Sequence, residues 1–213
     1  MINHKKDKTN YTKFEYKLLK KNAFNPVTKE LKKIVQNPTI LDLGAGPGTW
    51  EVALQDLNPH LIYWHDKSSE FEEVAKENTA KYKNVRFNNA DIEDFSLYEN
   101  NFFDLIICRL ALYHAKNEKK VLSEVARTLK PGGYLYIESP NFWRIIQTVK
   151  PWDYRFLPML IAPFLYLLFN KKIISTLFHF EFTFKKMAKS ENLKIVSWKM
   201  LSQRTFQALL QKK

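Results

Sequence analysis

An acid and three glycines close an apolar run in the segment Ile40-Leu41-Asp42-Leu43-Gly44-Ala45-Gly46-Pro47-Gly48-Thr49-Trp50. Glycines lacking Cβ let a backbone turn sharply and approach a ligand closely. A dinucleotide fingerprint spaces its glycines G-x-G-x-x-G and needs no acid before them. Here the spacing is Asp42-x-Gly44-x-Gly46-x-Gly48, with a carboxylate two residues before the first glycine. That carboxylate would repel a pyrophosphate and suits an ammonium group. A glycine-rich loop with no ligand is the plain alternative. A further acid, Asp66, follows an aromatic and β-branched run, and one histidine, His114, follows an apolar one. Imidazole titrates near neutrality, so His114 has the chemistry of a general base.

The elements that must carry these residues read as strands alternating with helices. Leu61-Ile62-Tyr63-Trp64-His65 is an aromatic and β-branched run leading to Asp66, and a helical stretch from Ser68 to Ala80 follows. Asp66 equally suits the capping of that helix. Val85 to Ile92 contains a third strand and Asp91. Phe102 to Cys108 is almost continuously apolar, as in a strand covered on both faces. Next, a helix is expected to end at Lys130, stopped by Pro131 and turned by Gly132 and Gly133 into a strand through Glu138. Upstream, an amphipathic segment with Tyr11, Phe14, Tyr16, Leu18 and Leu19 precedes a second helix from about Thr28 to Val35. Near the other end, Thr183 is expected to cap a helix, Leu193 to Trp198 reads as a strand, and Arg204 to Leu210 as a strand or short helix. Asn192 stands at the turn before that strand and tolerates a left-handed conformation.

Four ordered segments together, over about residues 27 to 140, resemble the class I S-adenosylmethionine-dependent methyltransferases, in particular the small-molecule type similar to quinone-biosynthesis enzymes. The glycine turn resembles that family's E/D-x-G-x-G-x-G motif. Leu129-Lys130-Pro131-Gly132-Gly133-Tyr134-Leu135 resembles its L-K-P-G-G-x-L phrase. The resemblance implies a Rossmann-like, doubly wound α/β fold with a mainly parallel seven-stranded sheet and helices on both faces. It implies S-adenosylmethionine as cofactor, held by Asp42, Gly44, Ala45, Gly46 and Gly48 at the turn, and by Asp66 with Lys67 after the second strand. Asp91 and Ile92 after the third strand and Arg109 after the fourth complete the set. In the family the turn contacts the methionine portion, the acid at Asp66 bonds the ribose hydroxyls, and the acid at Asp91 faces the adenine amino group. The first helical segment often folds over the cofactor there, which would bring Tyr11 or Phe14 near it.

On this reading the chain divides into an N-terminal helical cap (1–38), a cofactor-binding core (39–140), an apolar lid and substrate insertion (141–181), and a C-terminal helix with the last strands (182–213). The insertion is distinctive, because the fifteen residues from Phe156 to Asn170 carry no charge. A full membrane span needs about 20 apolar residues, and Pro158 and Pro163 would interrupt this one. A helical lid over an apolar pocket or dimer contact, an interfacial element over 156–172 with Arg155, Lys171 and Lys172 at lipid headgroups, and ordinary core packing all fit. Tyr113 is expected to line the acceptor pocket, with His179 and Glu181 as further acceptor contacts.

The net charge of +12 is unevenly spread: ten lysines and arginines face three acids in 1–38, eleven face sixteen in 39–140, and thirteen face three in 141–213. Basic flanks attract nucleic acid, anionic membrane or acidic substrates, or simply keep a surface solvated. Base-amine methyltransferases of this fold carry D/N/S-P-P-aromatic after the fourth strand. This chain has Cys108-Arg109-Leu110-Ala111 there, which makes nucleic acid the less favoured partner. No His/Cys/Asp set has metal-ligand spacing, and no G-x-S-x-G elbow occurs. One cysteine excludes a disulfide framework, and the polar start points to a cytoplasmic protein, peripheral to the membrane if 156–172 meets lipid. The expected function is methyl transfer to a small, hydrophobic or lipid-like acceptor. The alternatives are an RNA or protein methyltransferase using the basic flanks, and a non-catalytic cofactor-binding or membrane-associating module.

Overall fold

Runs rich in β-branched and aromatic residues become the strands of this α/β chain, seen in a computed structural model that describes residues 4–140, 181–202 and 205–213. The expected insertion over 141–180, including His179, lies outside the described residues. Seven strands run in the order β3-β2-β1-β4-β5-β7-β6. The chain forms two compact units, Met1–Asp91 and Ile92–Lys213. Their boundary falls inside the stretch 39–140 expected as one core.

In the first unit, β1 (Thr39–Leu43), β2 (Leu61–His65) and β3 (Val85–Asn88) pair in parallel, with Asp42 opposite Trp64 and His65 opposite Asn88. Successive side chains point to opposite faces of a strand, yet Ile40, Leu41, Asp42 and Leu43 are all buried, so both faces of β1 are covered. Four helices complete the unit: α1 (His4–Lys20), α2 (Asn25–Leu31), α3 (Thr49–Leu54) and α4 (Ser69–Thr79). α2 lies three residues upstream of its expected start because Pro26 occupies its first turn, where a missing N–H costs nothing. α4 begins as expected, but its cap is Ser68, whose Oγ accepts from Phe71 N at 3.2 Å, and not Asp66.

In the second unit, β4 (Phe103–Arg109) and β5 (Leu129–Pro140) are parallel, while β7 (Thr205–Lys212) runs antiparallel to β5 and to β6 (Leu193–Ser202). The Arg204 to Leu210 stretch thus resolves to a strand. α5 (Glu118–Thr128) stops two residues short of Lys130, because Leu129 already pairs with Phe103. Lys130 to Gly133 then bulge out of register before Tyr134 meets Leu105. A Cβ at Gly133 would lie 2.9 Å from the Lys130 carbonyl oxygen, which explains the second glycine. α6 (Glu181–Ser190) begins before Thr183, so Thr183 sits inside the helix, fully buried, and is not its cap. Asn192 takes the left-handed turn expected of it, with φ of 59°. Among the described residues no helix is long and apolar enough to cross a membrane.

Candidate cofactor site

Gly44, Gly46 and Gly48 all adopt left-handed φ values, 76°, 61° and 80°, between β1 and α3. Only glycine takes such a succession without strain. At Gly48 space adds to the conformational demand, since a Cβ there would lie 2.8 Å from both Cα and Cβ of Ala75 on α4.

The turn is tied down by the end of β2. Gly44 N and Ala45 N donate to the His65 carbonyl at 2.7 and 3.2 Å, and Gly46 N donates to Asp66 Oδ2 at 3.0 Å. Trp64 Nε1 donates back to the Gly46 carbonyl at 2.8 Å, and Asn78 Nδ2 to the Pro47 carbonyl at 2.7 Å. Three successive amides are therefore engaged within the protein. A phosphate cradle works by leaving such amides to an anion, so this turn is not one. What it presents instead is acidity: Asp42, two residues before the first glycine of the turn, is 2% exposed, and Asp66 stands half-buried beside it.

Asp66 uses its second oxygen, Oδ1, to accept from Ser68 N at 2.9 Å. Each carboxylate oxygen has two acceptor sites, so both retain capacity for hydroxyl donors. Asp91 is exposed, and its carboxylate pairs with Lys67 Nζ at 3.1 Å. Its backbone carbonyl meets His65 Nε2 at 2.9 Å, while His65 Nδ1 meets Asn88 Nδ2 at 3.1 Å. A carbonyl only accepts, so Nε2 carries the hydrogen and Nδ1 accepts from Asn88. His65 is 0% exposed, and it joins the glycine turn through its backbone to the Asp91 loop through its ring. Sequence reading missed it as a functional residue: its contact with Asp91 spans 26 positions, and no local pattern announces it.

α1 packs over the same turn. A Cβ at Gly46 would lie 3.5 Å from Tyr11 Cε1, and the Tyr11 ring is 6.0 Å from that of Phe71. Thr49 Oγ1 donates to Glu15 Oε2 at 3.2 Å, and the Tyr16 hydroxyl donates to Asn78 Oδ1. Phe14, the other aromatic singled out in this segment, is half-exposed. The first unit thus gathers Asp42, Gly44, Ala45, Gly46, Gly48, Asp66, Lys67 and Asp91 around the ends of its three strands. An acidic set at a glycine turn fits a ligand bearing a cation and hydroxyls.

The second unit carries the remaining candidates. Ile92 is half-buried at its first residue. Arg109, at the end of β4, is 8% exposed, and its Nη1 lies 3.6 Å from Glu138 Oε2. Glu138 also accepts from the Tyr136 hydroxyl at 2.6 Å. Leu110 follows with φ of 52°, an uncommon conformation for a branched side chain, secured by its N–H donating to the Glu138 carbonyl at 2.8 Å. That bend leads into a 3-10 turn, Leu112–His114, in which His114 is exposed and its ring lies 4.1 Å from that of Tyr113. Glu181 is the first residue of α6.

A family model described as a methyltransferase domain matches residues 34–192. The chain is 32% identical over 141 residues to thiol S-methyltransferase TMT1B of Rattus norvegicus, covering 62% of this chain and 52% of that protein. It is 34% identical over 103 residues to demethylmenaquinone methyltransferase of Clavibacter sepedonicus, covering 48% and 41%. The chain therefore spans about half the length of these curated relatives. In fold it is similar to the crystal structure of a SAM-dependent methyltransferase from Aquifex aeolicus, with a TM-score of 0.63, 18% identity, and coverage of 87% and 88%.

Proposed function

The chain belongs to the methyltransferase-domain family, and from that premise we propose that it transfers a methyl group from S-adenosylmethionine to a small, apolar acceptor. One observation carries the cofactor half of this reading: the amides of Gly44, Ala45 and Gly46 are engaged within the protein, while Asp42 and Asp66 surround the turn with negative charge. This arrangement repels a pyrophosphate and attracts an ammonium. Asp42 serves the methionine ammonium, Asp66 the ribose hydroxyls and Asp91 the adenine amino group. Lys67 and His65 hold the Asp91 loop in place from its side chain and its backbone.

The cofactor supplies an activated methyl group, so the protein's task is to align the acceptor and exclude water. A base is required only where the acceptor arrives protonated, and His114 with Tyr113 beside it is the group we assign to that step. The acceptor class is supported by the uncharged run 156–170 and by relatives named for a thiol and for demethylmenaquinone. The same run, flanked by Arg155, Lys171 and Lys172, supports contact with a membrane surface from the cytoplasmic side.

Titration calorimetry with S-adenosylmethionine and S-adenosylhomocysteine tests the cofactor, and we expect micromolar binding of both. A radiolabelled methyl-transfer panel of thiols, quinols, phenols and structured RNA tests the acceptor, with flotation on anionic liposomes run alongside. Methylation of RNA without any apolar acceptor would overturn the acceptor assignment. Absence of binding by folded protein would overturn the cofactor.

A further inference from the structure

Glu51, the third residue of α3, is 0% exposed. By distance and angle neither carboxyl oxygen has a hydrogen-bond partner among the described residues, and its own backbone N–H is the one group near enough to favour the charged form. Buried polar atoms are almost always satisfied, so an ionised Glu51 would be an anomaly. Its electrostatic surroundings are acidic: Asp42 of β1 stands within hydrogen-bonding reach, and Asp66 acts from the end of β2. α1 contributes another acid, Glu15, through Thr49. Among the cations of α2 and α4, Lys29 and Lys76 are exposed. Burial first, and the Asp42 charge second, push the Glu51 carboxyl well above the usual carboxylate range. A protonated carboxyl gains what this position lacks, a donor hydrogen, and Asp42 is the acceptor within reach.

We propose that Glu51 is held as a neutral carboxylic acid whose O–H donates to the Asp42 carboxylate, making it a positioning residue for the acid that precedes the glycine turn. The O–H···O⁻ bond is of the short, strong, charge-assisted kind and fixes the Asp42 rotamer from behind. The two acids then carry one negative charge between them, which matches one ammonium group. The positioning role rests on the cofactor reading of the turn, whereas the protonation state of Glu51 does not.

Two measurements on the full chain separate these. Difference infrared spectroscopy of wild type against Glu51→Gln at neutral pH reads the proton directly. We expect a protonated-carboxyl band in the wild type that the variant lacks; a carboxylate band in its place would overturn the proposal. Calorimetry with S-adenosylhomocysteine reads the positioning. Glu51→Gln keeps a neutral donor and should bind within about threefold of wild type, whereas Glu51→Leu, of similar volume without a donor, should bind about tenfold more weakly or worse. Equal binding by Glu51→Leu would overturn the positioning role. If the infrared band is present and the wild type binds neither ligand, the cofactor reading falls, and the positioning role with it.

Discussion

Asp42 owes its effect to burial as much as to charge. At 2% exposure it is shielded from salt and water, so an ammonium drawn to it experiences a much lower dielectric than bulk solvent. Asp42→Asn keeps the shape and removes the charge. We expect the folded variant to lose at least tenfold in affinity for S-adenosylmethionine, checked by calorimetry with circular dichroism on the same sample. His65 works through geometry. His65→Leu removes the N–H that satisfies the Asp91 carbonyl and leaves that loop without its buried tether. Stability should fall by about 1–3 kcal/mol in urea unfolding, with weakened cofactor binding, because a lost buried donor leaves its acceptor unsatisfied. His65→Gln, which can present an N–H from a similar depth, should recover part of both losses. Binding unchanged in His65→Leu would mean that the Asp91 loop needs no such support.

Among the elements, the glycine turn and α4 depend on one another. A methyl group at Gly48 meets Ala75 at 2.8 Å while the backbone sits at a φ of 80°, so Gly48→Ala meets a steric and a conformational penalty together. A loss of roughly 2–4 kcal/mol is expected in denaturant unfolding, with cofactor binding lost as well. Ser68→Ala removes the cap of α4 together with the hydroxyl's bond to Glu70 Oε2, and should cost about 1 kcal/mol while leaving binding close to wild type. What was legible in the sequence follows the same division between local and distant causes. The turn, the strand runs and the Asn192 bend were readable, because glycine spacing, β-branching and left-handed propensity act within a few residues. The start of β5 was not, since pairing of Leu129 with Phe103 across the sheet overrides the helix-ending signal of Pro131. Thr183 looked like a cap, but it lies inside the helix and is fully buried. Glu51 gave no signal at all, because a lone acid in Trp50-Glu51-Val52 acquires meaning only when β1 folds beside it.

For the molecule as a whole, charge and burial set different pH dependences. The chain carries a formal net charge of +12 at pH 7, concentrated in its two flanks around an acidic central stretch. Deprotonating lysines at high pH relieves repulsion within those flanks, an effect spread over many groups. Glu51 acts in the opposite sense and alone. Its folded-state carboxyl holds a proton more tightly than the unfolded chain does, because burial and Asp42 disfavour the charged form. The stability it confers is therefore fully present below the ordinary carboxylate range and is lost as pH rises toward its own raised value. Glu51→Gln cannot ionise, so it keeps the neutral group at every pH while leaving the flanks untouched. The difference in unfolding free energy between variant and wild type thus isolates this one proton from the basic background. We expect the two proteins to be nearly equal at pH 4 and the variant to gain steadily above it. The gain should approach a limiting slope of about 1.4 kcal/mol per pH unit and level off once pH passes the folded-state value. Urea titrations at unit pH intervals from 4 to 9 measure it. A flat difference across that range would mean that Glu51 titrates alike in both states, and that the buried pair shares no proton.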